Sequence, residues 1–269
     1  MKKALKIVVL AKQVPDTRNV GKDAMTAEGT VNRAALPAIF NPEDLNALEQ
    51  ALRLKEQNPG STVGILTMGP PRAGEIIRQG LYRGADTGWL LTDRLFAGAD
   101  TLATSYALAT GIQKIGDVDI VIGGRQAIDG DTAQVGPQIA EHLDLPLISY
   151  AQDIKVEGDS VIVQRQYDDR YHVLKAKMPC VITALSELNE PRYMTPGGIF
   201  DAYDAEITTW GRKDLKDVDD SNLGLAGSPT QIAKASDKVR KGKGVMMTAE
   251  TAEEGVEYIM DKLLTKHVI

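Results

Sequence analysis

Hydrophobic and polar residues follow two rhythms along the first half of the chain. Short apolar runs with the length and composition of buried strands lie at residues 5–11, 63–66, 84–92 and 118–122. After each run the apolar residues recur every three or four positions, as at Leu45, Leu48 and Leu52, which is the spacing of an amphipathic helix. Four such units in succession, with a further strand from residue 147, predict a parallel sheet with helices on both faces.

Capping and turn residues predict where the helices begin. Asn41, followed by a proline and two acids, predicts a helix with a capping asparagine that ends near residues 58–60. Asp100 or Thr101 is expected to cap the helix that runs to about residue 115. Residues 129–132 supply the short oxygen-bearing side chains expected to cap the helix after the fourth strand.

The rhythm changes after residue 150. Short apolar runs at 161–163, 171–174 and 181–183 are separated by charged turns, which predicts a small antiparallel addition. Residues 17–40 follow neither rhythm and are expected to form a loop or hairpin.

The last third of the chain predicts an arm and a terminal helix. Residues 186–245 are rich in proline and glycine and are expected to lie on another surface. Residues 249–265 carry one apolar stripe, which predicts a helix that packs on the parent domain or, as we favour, docks on another subunit. We therefore divide the chain into an α/β nucleotide-binding domain with the antiparallel addition, 1–185, and a partner-contacting part, 186–269.

Charge and composition exclude several classes of protein. The chain of 269 residues has a net charge of -6, which argues against a nucleic-acid surface. Its single cysteine, Cys180, excludes an internal disulfide and fits a reducing compartment, so we expect a cytoplasmic protein. The three histidines lack metal-ligand spacing, and no metal site is expected.

The N-terminal apolar run, broken by Lys6 and followed by Lys12, is interpreted as a strand rather than a secretory signal. No stretch approaches the roughly 20 apolar residues of a membrane helix.

The stretch at 117–143 carries the candidate chemistry. An apolar strand ends at Gly123 and Gly124, a loop with small and hydrogen-bonding residues follows, and a helix with apolar residues four apart completes the unit. The loop is either an ordinary strand-to-helix connection or an anion site, at which free amides and the helix dipole would converge. We favour the anion site, with a nucleotide phosphate as the anion. The turn at 68–71 is equally well a strand exit or a second nucleotide-facing loop.

Several catalytic motifs are missing. The chain has neither GxGxxG after its first strand nor a GxxxxGK[ST] loop, and no GxSxG or paired nucleophile and base. Redox chemistry by a bound cofactor would explain a nucleotide-binding fold without hydrolytic residues.

The central stretch GRQAIDGDTAQVGPQIAEHL resembles the small (beta) subunit of electron-transfer flavoproteins. The resemblance extends over nearly the whole chain through AKQVPDT (11–17), NPEDLNALEQALRLKE (41–56), KMPCVIT (177–183) and NEPRY (189–193). TMGPPRA (67–73), GADTLATS (98–105), GDTAQVGP (130–137) and AGSPTQ (226–231) are similar to the electron-bifurcating group, which binds FAD where ordinary members bind AMP.

The resemblance implies an alpha subunit as partner in a heterodimer. FAD in this subunit would take hydride from NADH and send its electrons along two routes. One route leads to the alpha-subunit FAD and its partner flavin-dependent dehydrogenase, and the other to a low-potential ferredoxin or flavodoxin. The chain would then be part of an NADH-oxidising oxidoreductase. One alternative is a non-bifurcating beta subunit with structural AMP, carrying electrons from acyl-CoA-type dehydrogenases. Another is an ATP-binding α/β enzyme or sensor module.

The resemblance also assigns residues to the sites. The nucleotide would contact Ala11, Lys12, Asn41, Met68, Asp100, Thr101, Thr104, Ser105, Gly124, Arg125, Gln126, Asp129, Gly130, Asp131, Thr132, Ala133, Gln134 and Val135. NADH would approach beside Met68, Gly69 and Pro70. Partner dehydrogenases would contact the segment 189–199, including Asn189, Glu190, Pro191, Arg192, Tyr193 and Ile199.

Overall fold

A mixed sheet of nine strands organises the computed structural model, which describes residues 4–16, 37–230, 242 and 244–269. The strands are β1 Lys6–Leu10, β2 Gln13–Pro15, β3 Ala38–Phe40, β4 Thr62–Met68, β5 Thr87–Leu91, β6 Ile120–Gly124, β7 Leu147–Glu157, β8 Ser160–Gln166, β9 Tyr171–Lys177, β10 Cys180–Ala184 and β11 Thr208–Trp210. The helices are α1 Pro42–Gln57, α2 Gly74–Leu81, α3 Thr101–Ile115, α4 Val135–Leu143, α5 Pro196–Ala202 and α6 Ala252–Thr265.

The strand order places β1 at the centre of the parallel part of the sheet. The order is β11-β5-β4-β1-β6-β10-β7-β8-β9, with parallel pairing from β11 to β7. From β1 the chain first builds outward through β4 and β5, and then returns to place β6 on the other side of β1. The carboxyl ends of β1 and β6 therefore form a topological switch point, where open α/β sheets bind ligands.

Helices cover both faces of the sheet, as the alternation of strands and helices predicts. Leu48 of α1 and Ile76 of α2 pack in one apolar cluster with Ile7 and other residues of the sheet. Leu108 of α3 and Ile139 of α4 pack in a second cluster on the opposite face. Because both faces are covered, successive residues of β1 are buried alternately in the two clusters, and the strand is almost continuously apolar. The predicted α/β fold class is confirmed.

The predicted antiparallel addition is confirmed for two of its three strands. β7, β8 and β9 pair antiparallel at one end of the sheet. The third strand, predicted at 181–183, was assigned wrongly, because β10 lies between β6 and β7 and is parallel to both. All five of its residues are buried, since helices cover both of its faces, and such a strand lacks the alternation of a half-exposed hairpin.

The prediction of a loop or hairpin at residues 17–40 lies mostly outside the described residues. Of this range the structure describes 37–40, where β3 pairs antiparallel with β2, next to the end of β1. Residues 17–36 lie outside the described residues, as do 231–241 of the predicted arm.

The first part of the predicted arm packs on the chain's own sheet. β11 extends the sheet by pairing parallel with β5, and Leu215, Val218 and Leu223 join the apolar cluster beneath α3. In contrast, α6 has no buried residue, and Val256 on its apolar stripe is 60% exposed. The division at residue 185 and the docking of α6 on another subunit stay predictions.

None of the helices in the described ranges combines the length and apolar character needed to span a bilayer.

Candidate functional site

The carboxyl ends of β1 and β6 are joined by one buried carboxylate. Asp44, in the first turn of α1, accepts a hydrogen bond from the Lys12 amide through Oδ2 and from the Gly124 amide through Oδ1, both at 2.9 Å. Gly124 must be glycine here, because a Cβ atom would lie 2.6 Å from Asp44 Oδ1 and 2.8 Å from the Glu43 carbonyl carbon. The two strand ends and the helix are thus in contact at the switch point.

Asn41 fixes the loop after β6, although the sequence predicts it as a helix cap. It occupies the N-cap position of α1 but makes no capping hydrogen bond with its side chain. Instead, its buried amide group donates to the Gln126 carbonyl at 2.9 Å and accepts from the Ile128 amide at 3.1 Å. The predicted position of Asn41 at the N-cap is therefore right, but the predicted capping hydrogen bond is wrong, because the side chain bonds to main-chain groups of the loop instead.

Glu43 completes the attachment of this loop to α1. Its carboxylate accepts from the Gln126 amide at 3.0 Å and pairs with Arg125 at 2.9 Å. Burial raises the pKa of Glu43 above its usual range, and these two groups only partly oppose that shift. Burial also raises the pKa of Asp44 to about 7 against the hydrogen bonds from Lys12 and Gly124.

Further along, the loop presents main-chain amides without partners. Within the described ranges, the amides of Thr132, Ala133 and Gln134 make no hydrogen bond to another part of the chain. Ala133 has a left-handed φ of 52° and Gln134 is right-handed, a succession that turns neighbouring amides toward one concave surface. Asp131, also left-handed at 51°, is held by its side-chain bond to Gln126 Nε2. An anion is the group that such a surface binds.

The same left-handed residues correct the predicted start of α4. Residues 129–132 do not cap the helix, because α4 begins at Val135 and its N-cap is Gln134, which makes no capping bond with its side chain. The positive φ values at Asp131 and Ala133 are incompatible with a right-handed helix, so the helix starts only after them.

The N-terminus of α3 forms the adjoining wall. Asp100 caps it by accepting from the Leu102 and Ala103 amides, as predicted. Desolvation opposes the charge of Asp100, but these bonds and one from Thr230 outweigh it and lower its pKa. The Thr101 hydroxyl donates to Gln134 Oε1 at 2.9 Å, which brings the start of α3 beside the unpaired amides.

A second surface is formed by residues 189–203, which lie on α1 at their start and on α2 further along. Asn189 and Asn46 exchange side-chain to main-chain hydrogen bonds at 2.6 and 3.0 Å. Arg192 pairs with Glu49 at 2.7 Å and with Glu56 at 2.6 Å. Burial alone would raise the pKa of Glu49, yet the bonds from Arg192 and Arg53 hold it below its usual range.

This fixed segment exposes aromatic side chains. Tyr193 is 89% exposed, and Phe200 and Tyr203, on and after α5, are 83% and 64% exposed. Exposed aromatic rings grouped in one segment are typical of a protein interaction surface.

Comparison with known proteins shows the family. The profile of the electron transfer flavoprotein domain matches residues 28–221. The chain is 49% identical over 265 residues to the caffeyl-CoA reductase-Etf complex subunit CarD of Acetobacterium woodii, covering 98% of this chain and 100% of that protein. With the same coverage, it is 48% identical to the electron transfer flavoprotein subunit beta of Clostridium acetobutylicum. It is also 46% identical over 271 residues to the acryloyl-CoA reductase electron transfer subunit gamma of Anaerotignum propionicum, covering 98% and 100%.

The chain belongs to the electron transfer flavoprotein family. It is a beta subunit, and so it acts with an alpha subunit in an electron-transfer complex. The resemblance seen in the sequence motifs is thereby confirmed.

In this electron transfer flavoprotein subunit, most of the predicted nucleotide residues lie around the switch point. The ends of β1, β4 and β6 supply Ala11, Lys12, Met68 and Gly124, and the loop after β6 supplies Arg125 to Val135. Asn41, between β3 and α1, contacts this loop from beneath. Lys12 Nζ reaches Asp129 Oδ1 at 2.6 Å and connects the two loops. Met68 and Gly69 are partly exposed and Pro70 is exposed at the end of β4.

Ser105 is placed less favourably for direct contact. Its side chain is fully buried, and its hydroxyl donates to the Leu102 carbonyl at 2.8 Å within α3. Thr104, one residue earlier, is partly exposed. Ligand contacts of all the predicted site residues stay predictions.

The sequence interpretation missed four residues that the structure brings to these surfaces. Glu43 and Asp44 were interpreted only as favourable charges at a helix N-terminus, and Phe200 and Tyr203 fell beyond the segment 189–199. For the aromatic pair a signal was available, since two aromatic residues three positions apart in a turn-rich stretch predict an exposed helical face. For the acids no local signal exists, because their partners lie about 80 residues away.

Proposed function

We propose that this chain is the beta subunit of an electron-bifurcating electron transfer flavoprotein and holds FAD at the switch point. FAD bound there would accept hydride from NADH and deliver electrons both to the alpha-subunit FAD and its partner dehydrogenase and to a ferredoxin or flavodoxin. The chain's own residues would bind the dinucleotide, orient it and exclude water from its buried side. A cytoplasmic location belongs to the same proposal and rests on the single buried cysteine.

The main support is the group of unpaired amides at Thr132, Ala133 and Gln134. A diphosphate supplies the acceptor oxygens that these amides lack, at the positive end of α4. Gly124 and Asn41 hold the loop in place from beneath without using these amides. The residues present therefore fit a dinucleotide phosphate.

The start of α3 favours FAD over AMP. Thr101 contacts Gln134 and so extends the polar wall beyond the loop that would hold an adenylate. The hydroxyl groups of Thr101 and Thr104 would lie beside a ribityl chain, whereas AMP has no group to reach them. Met68, Gly69 and Pro70 would border the side from which NADH approaches.

Counting the flavins tests the proposal. The chain should be co-expressed with its alpha subunit, and the cofactors released from the purified heterodimer should be quantified by absorbance and chromatography. Two FAD molecules per heterodimer are expected. One FAD and one AMP would establish the alternative of a non-bifurcating carrier, and ATP binding without any flavin in this chain would establish a nucleotide-using module instead.

We further propose that the surface at 189–203 contacts the partner dehydrogenase. The named relatives support an acyl-CoA-type partner, because one is a subunit of a caffeyl-CoA reductase complex and another is an acryloyl-CoA reductase subunit. Arg192 would fix the backbone, and Tyr193 would contribute the exposed ring. Association of the heterodimer with acyl-CoA dehydrogenase, measured by biolayer interferometry with and without Tyr193→Ser, tests this assignment.

A further inference from the structure

One buried acid contacts the ends of both central strands beneath the proposed nucleotide site. Asp44 lies under the switch point, and each of its two oxygens accepts one main-chain amide, Oδ2 from Lys12 and Oδ1 from Gly124. Neither amide belongs to α1, so the carboxylate couples β1 and β6 through a third element. A group that only capped its own helix would not have this arrangement.

We propose that Asp44 is a positioning residue for the nucleotide loop, and that loss of its negative charge weakens nucleotide binding in this subunit. The inference rests on the proposed function, since it concerns the same site. It adds a residue that would not touch the nucleotide and would act through the amides of Lys12 and Gly124.

The geometry explains why the charge matters. An ionised carboxylate only accepts hydrogen bonds, whereas a neutral carboxylic acid carries a proton on one oxygen. Each oxygen of Asp44 accepts one amide, so a proton on either oxygen weakens the acceptor that holds one strand end. Gly124, which has no room for even a methyl group, begins the loop whose attachment is then weaker.

The surroundings place this protonation in the neutral range. Burial raises the pKa of Asp44 to about 7, although the Lys12 and Gly124 amides and the Asn41 side chain favour the charged form. The neighbouring carboxylate of Glu43 adds to the increase, while Arg125 is paired with Glu43 and the Lys12 side chain with Asp129. Neither Arg125 nor the Lys12 side chain therefore forms an ion pair with Asp44.

The test compares FAD binding by the heterodimer at different pH values. FAD is a suitable probe because its diphosphate and flavin do not titrate between about pH 6 and pH 8. In the wild type, the affinity of the second flavin site should fall about tenfold from pH 8 to pH 6, as one charge-assisted hydrogen bond is lost. Asp44→Asn, which offers one acceptor and one donor, should bind weakly at both pH values and lose the pH dependence.

One control variant and the wild-type profile make the outcomes distinct. Asp144→Asn makes the same chemical change at the exposed C-terminal end of α4 and should retain the wild-type profile. If Asp44→Asn does not fold, the wild-type profile alone decides, because it requires no variant. A second FAD that binds equally at both pH values overturns the positioning role and leaves the proposed function intact. A heterodimer that binds only one FAD at every pH overturns both.

Discussion

Helix α1 holds two loops, and it holds them by partly different means. Its first turn fixes the loop after β6 through buried side chains that bond to main-chain groups, with Asn41 and Asp44 as the deepest contacts. Further along, the helix fixes the segment at 189–192 through buried Asn46, which bonds to the Asn189 main chain, and through the partly exposed Arg192, which pairs with Glu49 and Glu56.

The difference indicates what each loop is adapted to do. Main-chain groups held from below leave the other face of a loop free for a ligand and fix its shape to within a fraction of an ångström. Ion pairs that include a partly exposed arginine respond to salt, which suits a surface that must bind and release a protein. Each of the following predictions acts on only one of the two loops or on the surface next to it.

The largest effect is expected from Gly124→Ala in the first attachment. The added methyl group would overlap Asp44 Oδ1 and the Glu43 main chain, so the free energy of unfolding should fall by about 3 kcal/mol and the second FAD should be lost. Urea denaturation and flavin analysis measure both effects. Gly197→Ala is the control outside the nucleotide loop, because its Cβ would meet no atom within 4 Å. Equal behaviour of the two variants would contradict the proposed close contact.

The next effect concerns the pH dependence of stability. The pKa of Asp44 is raised from 3.8 in its ordinary state to about 7 in the folded chain. The unfolded chain therefore releases this proton first as the pH increases, so the contribution of Asp44 to stability decreases from about pH 4 to pH 7 and is constant above that range.

Subtracting the stability curve of Asp44→Asn from that of the wild type isolates this contribution. The difference, measured by urea denaturation of the same heterodimer from about pH 4.5 to pH 8, should slope downward with increasing pH. A difference that is flat or that increases would show that the carboxyl group is not buried in the way described.

A moderate effect is expected from Arg192→Ala in the second attachment. The change removes the guanidinium partner of a buried Glu49 oxygen but keeps the Arg192 amide bond to it, and the free energy of unfolding should decrease by about 1–2 kcal/mol, less at high salt. FAD content should not change, because the first turn of α1 is untouched. Arg170→Ala, whose partner Asp169 is exposed, should cost almost nothing. A loss of FAD in Arg192→Ala would show that the two attachments are not independent.

The smallest effect on stability is expected from Tyr193→Ser. The ring is 89% exposed, so the melting temperature should stay unchanged, while association with the partner dehydrogenase should weaken about tenfold if the ring is a central contact. Tyr171→Ser, at the far edge of the sheet and 60% exposed, serves as the control. Equal association of both variants would place the partner surface elsewhere.

The sequence predicts the parts of this molecule that depend on local periodicity. β1, β4 and β5 and the helices α1, α2 and α3 follow from apolar spacing, whereas β2 and β3 do not, and Asp100 caps α3 as its position indicates. The parallel placement of β10 was not predictable from a hairpin pattern, because pairing direction depends on contacts distant in sequence. The residues that hold the loop after β6 could not be predicted for the same reason. Asn41 and Glu43 are ordinary residues for a helix start, and only their distant partners reveal their role.

The separation between Asn41 and the carbonyl it contacts, 85 residues, has a consequence for how the protein is made. A loop that takes its shape from so distant a helix cannot form before β1, α1 and β6 have come together. We therefore expect cofactor capture to follow the assembly of these three elements, so that a chain carrying flavin has already joined them.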